Sequence, residues 1–173
     1  MDYEVIPVWQ KLDAALEQEV VAFWLAEKVF AAEGPARARA KEIICIGRGA
    51  DGGIAGVCSA VAKVVPRLRE RLYFYRSYVR AADRRKGLAL ELLKAARPVL
   101  ESYEASLPAP QCIGVLLEIE NRGLADYQGA ALWKQTGYAF IGYSPRGLDM
   151  RVRYFDGARL QRLEIRPPAP AAR

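Results

Sequence analysis

Apolar positions recur at helical spacing early in the chain: Leu12, Leu16, Val20, Phe23 and Phe30 stand three, four or seven apart, with Glu17, Glu19 and Lys28 between them. This predicts one long helix from about Trp9 to Ala32, stopped by Gly34-Pro35. The pattern then shortens. Glu42-Ile-Ile-Cys-Ile46 and Ile54-Ala-Gly-Val-Cys58 are β-branched runs on either side of a glycine-rich turn, which predicts a hairpin. Pro66 and the charged stretch after it break the chain before Leu72 to Val79, an aromatic and β-branched run expected to lie centrally in a sheet. A basic glycine turn leads from there into a helical stripe of Leu88, Leu92, Leu93, Ala96, Leu100 and Tyr103. Cys112 to Ile119 reads as another strand, Gln128 to Thr136 as a short helix ended by Gly137, and Tyr138 to Tyr143 and Asp149 to Phe155 as two closing strands around a Ser-Pro-Arg-Gly turn.

Composition narrows the class. With 173 residues, 52% hydrophobic and 27% charged, the chain suits one soluble α/β domain, expected over 1–165, with a frayed Pro/Ala-rich tail at 166–173. No run of about 18 uncharged apolar residues is present to span a membrane. The sequence contains no histidine, which excludes Ser-His-Asp and Cys-His catalysis and any His-containing metal site; no metal is expected. Cys45, Cys58 and Cys112 are far apart, without C-x-x-C spacing or a secretory leader pattern, and read as reduced thiols of a cytoplasmic protein. A net charge of +6 would attract an anionic partner. No groove-reading motif accompanies it, so nucleic acid is not the expected partner.

Two glycine motifs compete for a phosphate. Gly47-Arg-Gly-Ala-Asp-Gly52 matches G-x-G-x-x-G after a strand, but Gly53 and Gly56 discourage a helix start and the next strand ends without an acid, so it reads as a hairpin turn. Arg84-Arg85-Lys86-Gly87-Leu88-Ala89 lies where a central strand gives way to a helix. Glycine allows close backbone approach, successive N–H groups at a helix start hold phosphate oxygens, and three cations add attraction. Cations at the positive end of a helix dipole are unfavourable unless an anion sits among them.

The order Val79-x-x-x-x-Arg84-x-x-Gly87-x-Ala89 resembles the R/Q-x-x-G-x-G/A motif of the GNAT superfamily of acyl-CoA-dependent N-acetyltransferases, and the elements around it follow that family's order over about residues 3 to 156. The resemblance implies a GNAT fold, a mixed and mostly antiparallel twisted sheet flanked by helices. It implies acetyl transfer from acetyl-CoA to a primary amine by direct attack in a ternary complex, and it leaves a homodimer open. Residues Arg84, Arg85, Lys86, Gly87, Leu88 and Ala89 would hold the coenzyme's pyrophosphate, and the backbone of Val79 and Ala81 its pantetheine arm. The alternative is an acyl-CoA-binding regulatory or scaffold protein of the same fold without turnover.

Two departures from the family pattern bear on chemistry. Trp133 stands where the family often has a tyrosine that protonates the departing thiolate, and an indole cannot do so near neutral pH; Tyr138 is the candidate acid in its place, with Tyr127 and Tyr143 nearby. Tyr73 stands where many members carry a glutamate base. Glu118 and Glu120 share one strand face, and Glu118, deeper in the strand, is the candidate base, with desolvation expected to raise its pKa. Tyr73, Tyr75 and Ser77 share one face of the motif strand, opposite Phe74, Arg76 and Tyr78. If the tyrosine face looks into the cleft, Tyr73 and Tyr75 form an aromatic acceptor pocket; otherwise they pack against a helix.

Overall fold

The structure, a computed structural model, describes residues 3–120 and 129–164. Its strands are β1 (Glu4–Pro7), β2 (Ile43–Arg48), β3 (Ile54–Val65), β4 (Glu70–Val79), β5 (Gly114–Glu118), β6 (Leu132–Trp133), β7 (Tyr138–Tyr143) and β8 (Asp149–Tyr154); its helices are α1 (Ala14–Ala26), α2 (Glu33–Ala40) and α3 (Leu88–Ser106). The strands form one sheet in the order β1-β2-β3-β4-β5-β8-β7-β6. Every neighbouring pair is antiparallel except β4 and β5. The helix α3 is the crossover that this parallel pair requires.

The strand expectations hold at β2, β3, β4, β5, β7 and β8, whereas the helices depart from them. The expected helix over 9–32 is shorter: Asp13 caps it by accepting from the Leu16 amide at 2.8 Å, and it closes at Lys28, whose φ of +57° turns the chain out. Gly34-Pro35 does not stop a helix but lies in the first turn of α2, where a proline's missing N–H costs nothing. Strand β1, which shows no alternation to betray it, pairs along β2 at the sheet edge. The short helix expected at 128–136 is absent from 129–136, Gln128 and Tyr127 lying outside the described residues. Leu132 and Trp133 pair instead with Ala139 and Tyr138, and the Trp133 carbonyl accepts from Gly137, whose φ of +73° closes the hairpin. An aromatic residue packing on a pleated surface here outweighs the helical spacing of its neighbours.

The two faces of the sheet bury different things. Cys58, Ala60, Tyr73, Tyr75, Val115, Leu117, Trp133 and Tyr138 pack with α3 through Leu88, Leu92, Leu93, Ala96 and Leu100. On the opposite face Ile43, Ile46, Ile54 and Val57 meet α1 and α2 through Val20, Val21, Trp24, Ala36 and Ala40. Farther along that face Leu72, Leu116 and Val152 form a third cluster with Val65 and Ile113. No helix among the described residues is long and apolar enough to cross a membrane.

Candidate functional site

The parallel pair is short. Strand β4 meets β5 only at Tyr73↔Val115, Phe74↔Leu116 and Tyr75↔Leu117, while its other edge stays on β3 to Val79. From Arg76 onward the β5-facing edge of β4 is therefore open. The Arg80 amide donates to Ala55 on β3 at 2.7 Å, and strand alternation then turns the N–H and C=O groups of Ser77 and Val79 toward the gap.

A cleft of about 740 Å³ runs through this opening and draws its walls from both sides of the sheet. From the α3 side come Tyr75, Ser77, Ala89, Leu90, Leu93, Leu117, Ile119 and Trp133; from the α1–α2 side come Trp24, Phe30, Arg39, Ser59, Phe74, Arg76, Tyr78 and Glu118. The two faces of β4, alternatives in the sequence, both contribute, because the sheet itself parts where the cleft passes.

At one end of the cleft lies the basic turn. A short 3-10 turn at Ala81–Asp83 follows β4; Arg85 then takes φ +63° and Gly87 φ +90° as the N-cap of α3. Among the described residues no acceptor is found for the amides of Arg85, Lys86, Gly87, Leu88 and Ala89. They stand at the positive end of a 19-residue helix. Arg84, Arg85, Lys86, Gly87 and Ala89 are exposed, whereas Leu88 is buried as the anchor that packs the turn onto β2 and β3. Arg80 fixes the turn from below by binding both Asp51 and Asp83, and Tyr3 donates to Asp83 at 2.8 Å. The Arg80 guanidinium, with Tyr3, holds the Asp83 carboxyl below the usual carboxylate range.

The expected pantetheine contacts carry side-chain partners. The Val79 carbonyl accepts from Arg84 Nε at 3.2 Å, and the Ala81 amide donates to Glu27 Oε2 at 3.3 Å. Glu27 also accepts from the Tyr78 hydroxyl at 3.0 Å. Of the three cations, Arg84 is thus engaged and Lys86 lies 3.7 Å from Asp83; Arg85 has no partner among the described residues.

The chemistry-bearing residues sit differently from expectation. Glu118 is at the cleft, but Arg146 grips both its oxygens at 3.0 and 3.2 Å and also binds Glu120. That hydrogen bonding outweighs desolvation, so the Glu118 carboxyl is lowered rather than raised. Tyr138 is 1% exposed and does not line the cleft; burial raises its phenol, whose oxygen finds no hydrogen-bond partner among the described residues. Tyr73 does not line the cleft either: its hydroxyl donates to the buried Glu104 at 2.7 Å under α3. Tyr75, two residues on, does reach the wall; its hydroxyl oxygen, like that of Tyr138, is buried without a hydrogen-bond partner among the described residues, and burial raises its phenol well above the ordinary value. Trp133 lines the α3 side, with the buried Arg151 guanidinium 4.4 Å from its ring centroid.

Arg146 gave no sequence signal, being 28 residues from Glu118 in a surface turn. Trp24 and Phe30 fell inside the expected helix over 9–32, whose apolar residues read as core, and nothing in the sequence singled out Arg39 as a cleft residue. Arg76 was visible only as the polar member of the strand face opposite the tyrosines.

No sequence-family model matches the chain, and no curated protein sequence does. Solved structures do match. A GCN5-related N-acetyltransferase from Kribbella flavida aligns at TM-score 0.56 and 14% identity, over 89% of this chain and 98% of that one. The ribosomal-protein-S5-alanine acetyltransferase of Vibrio fischeri aligns at TM-score 0.60 and 8% identity, over 92% and 97%. The AtaT toxin, in a complex with the antitoxin AtaR and acetyl-CoA, aligns at TM-score 0.53 and 13% identity, over 89% and 94%. These likenesses span nearly the whole of each protein and establish the fold, which is that of the GNAT acetyltransferases.

Proposed function

We propose that this chain is an N-acetyltransferase that moves the acetyl group of acetyl-CoA to a primary amine by direct attack. The observation that carries the reading is the adjacency of two features: a turn at the start of α3 with five amides that have no acceptor among the described residues, and the opened edge of β4 beside it. The first suits a diphosphate and the second an extended amide-bearing arm. In this reading the amides of residues 85–89 hold the coenzyme's diphosphate with Arg84 and Arg85, while Val79 and Ala81 exchange their side-chain partners for the pantetheine. The open amides of Ser77 and Val79 polarise the thioester carbonyl and stabilise the oxyanion that forms when the amine attacks. Rate enhancement comes chiefly from holding the amine against the thioester across the parted sheet.

The proton balance closes without a strong base. The attacking nitrogen gains a bond to the acetyl carbon and loses a proton; the C–S bond breaks and the sulfur gains a proton. Glu118, held ionised by Arg146, attracts the acceptor's ammonium but is too weakly basic to deprotonate it efficiently, so the amine reacts as the neutral fraction set by its own pKa. We assign hydrogen-bond donation to the departing sulfur to Tyr75, which lines the cleft, in preference to Tyr138, which does not. The same features also fit a protein that binds acyl-CoA without turnover, a reading favoured by Trp133 at the tyrosine position.

Calorimetric titration with acetyl-CoA, followed by thiol release with a panel of amines, tests the proposal. Micromolar binding that weakens about tenfold or more in Arg84→Gln/Arg85→Gln, together with amine-dependent thiol release, is expected. Binding without release for any amine would support the non-catalytic reading. Absence of binding would overturn both.

A further inference from the structure

The α1–α2 side of the cleft carries a charge arrangement that specifies its acceptor. Continuing the parallel register one step beyond Tyr75↔Leu117 sets Arg76 against Glu118 across the mouth of the opening, both on the face opposite α3. Their surroundings differ. Arg76 is exposed, lines the cleft, lies 5.2 Å from the Phe74 ring centroid and makes no ion pair among the described residues, its charge reaching Glu118 only through space, where it helps lower that carboxyl. Neither of the other cleft cations is free in this way, since Arg39 is paired with Glu42 at 2.7 Å and Arg84 is bound to the Val79 carbonyl. Facing Arg76, the carboxylates of Glu118 and Glu120 share, among the described residues, the guanidinium of Arg146, so these three side chains together carry one negative charge in excess. Between and below these poles the wall is apolar and aromatic, formed by Trp24, Phe30, Phe74 and Tyr78.

A cleft whose one lip holds a cation with no ion pair among the described residues, whose other lip holds two carboxylates to one described guanidinium, and which has rings between them complements a zwitterion with an apolar body. A polyamine would meet Arg76 unfavourably, and a peptide N-terminus would offer Arg76 only a neutral carboxamide. We propose that the acceptor is a free α-amino acid with a large apolar or aromatic side chain: Arg76 holds its carboxylate, the Glu118 side draws its ammonium to the opening, and the rings of Trp24, Phe30 and Phe74 take the side chain. This rests on the acetyltransferase reading above and names the substrate class of the same site.

The test uses the full chain with acetyl-CoA and three acceptors of one shape: L-phenylalanine, L-phenylalaninamide and 2-phenylethylamine, read by thiol release. A charge-assisted hydrogen bond in a partly desolvated site corresponds to a preference of about 10- to 100-fold. We expect kcat/KM for L-phenylalanine to exceed both analogues by about 20-fold or more, mainly through KM. In Arg76→Gln that preference should collapse toward unity, and Arg76→Lys should restore part of it. Equal rates for the acid, the amide and the amine would overturn the inference while leaving the transferase reading intact, as would an equal loss for all three in Arg76→Gln. Acetyl-CoA binding with no release for any of the three would likewise overturn the inference, and failure to bind acetyl-CoA would overturn the reading beneath it.

Discussion

Replacing Tyr73 with phenylalanine separates a structural tyrosine from a substrate contact. The Tyr73 hydroxyl donates to Glu104 Oε1 at 2.7 Å, and the other oxygen of Glu104 accepts from the Gln111 amide at 2.7 Å; the pair ties β4 to the end of α3 and to the chain entering β5. Glu104 is 4% exposed, so a lost donor is not replaced by bulk water. The ring itself would stay, with its edge contact to Trp9 at 5.8 Å and its tilted contact to Phe155 at 6.4 Å, so no cavity term enters. What remains is one hydrogen bond to a charged, buried acceptor, worth about 2 kcal/mol within a range of roughly 1.5–3. For a chain of this size that lowers the melting temperature by about 4–8 °C. Thermal unfolding by circular dichroism should show that drop, while kcat/KM stays within about twofold at a temperature where both proteins are folded. An unchanged melting temperature with a tenfold loss of activity would refute the argument and return Tyr73 to the acceptor pocket.

Other consequences are checked the same way. Tyr75→Phe should lower kcat by about 10- to 100-fold with acetyl-CoA affinity retained, whereas Tyr138→Phe should leave kcat within about threefold; the reverse order would assign the sulfur's proton donor to Tyr138. With Glu118 held ionised by Arg146 and no histidine in the sequence, kcat/KM should rise with unit slope toward the amine's own pKa; a plateau near pH 7 would reveal a base that this site does not account for. Glu118 has its pKa depressed in the folded chain, so its ion pair contributes stability above the unfolded value of about 4.3 and loses it as pH falls through the lower folded value. Glu118→Gln should therefore lower the melting temperature at pH 7, with the gap from wild type narrowing below about pH 4; a gap that is constant with pH would contradict this.

Much of the fold was legible because strands announce themselves by local composition. The runs at 43–48, 72–79 and 138–143 are β-branched or aromatic and bounded by turn residues, and each is a strand. The Arg84–Ala89 motif was legible for a related reason, as glycine followed by a leucine stripe marks a helix start wherever it occurs. Where the signal was tertiary, the sequence misled. Helical spacing carried through Phe30 although that residue packs on Trp24 from beyond the end of α1, at 5.2 Å between ring centroids. Desolvation of Glu118 was foreseeable from its strand, but the guanidinium that reverses its effect arrives from a distant turn. The cleft's two-sided lining was equally invisible, since nothing in β4 or β5 alone says that their pairing ends at Tyr75.

The most direct measurement is a crystal structure of the chain with coenzyme A bound. The account predicts the diphosphate on the amides of Arg85 to Ala89, the pantetheine along the open edge of β4, and the sulfur at the parting of β4 and β5 beside Tyr75. A coenzyme seated on the Gly47–Gly52 hairpin, or a diphosphate that leaves those five amides untouched, would contradict it.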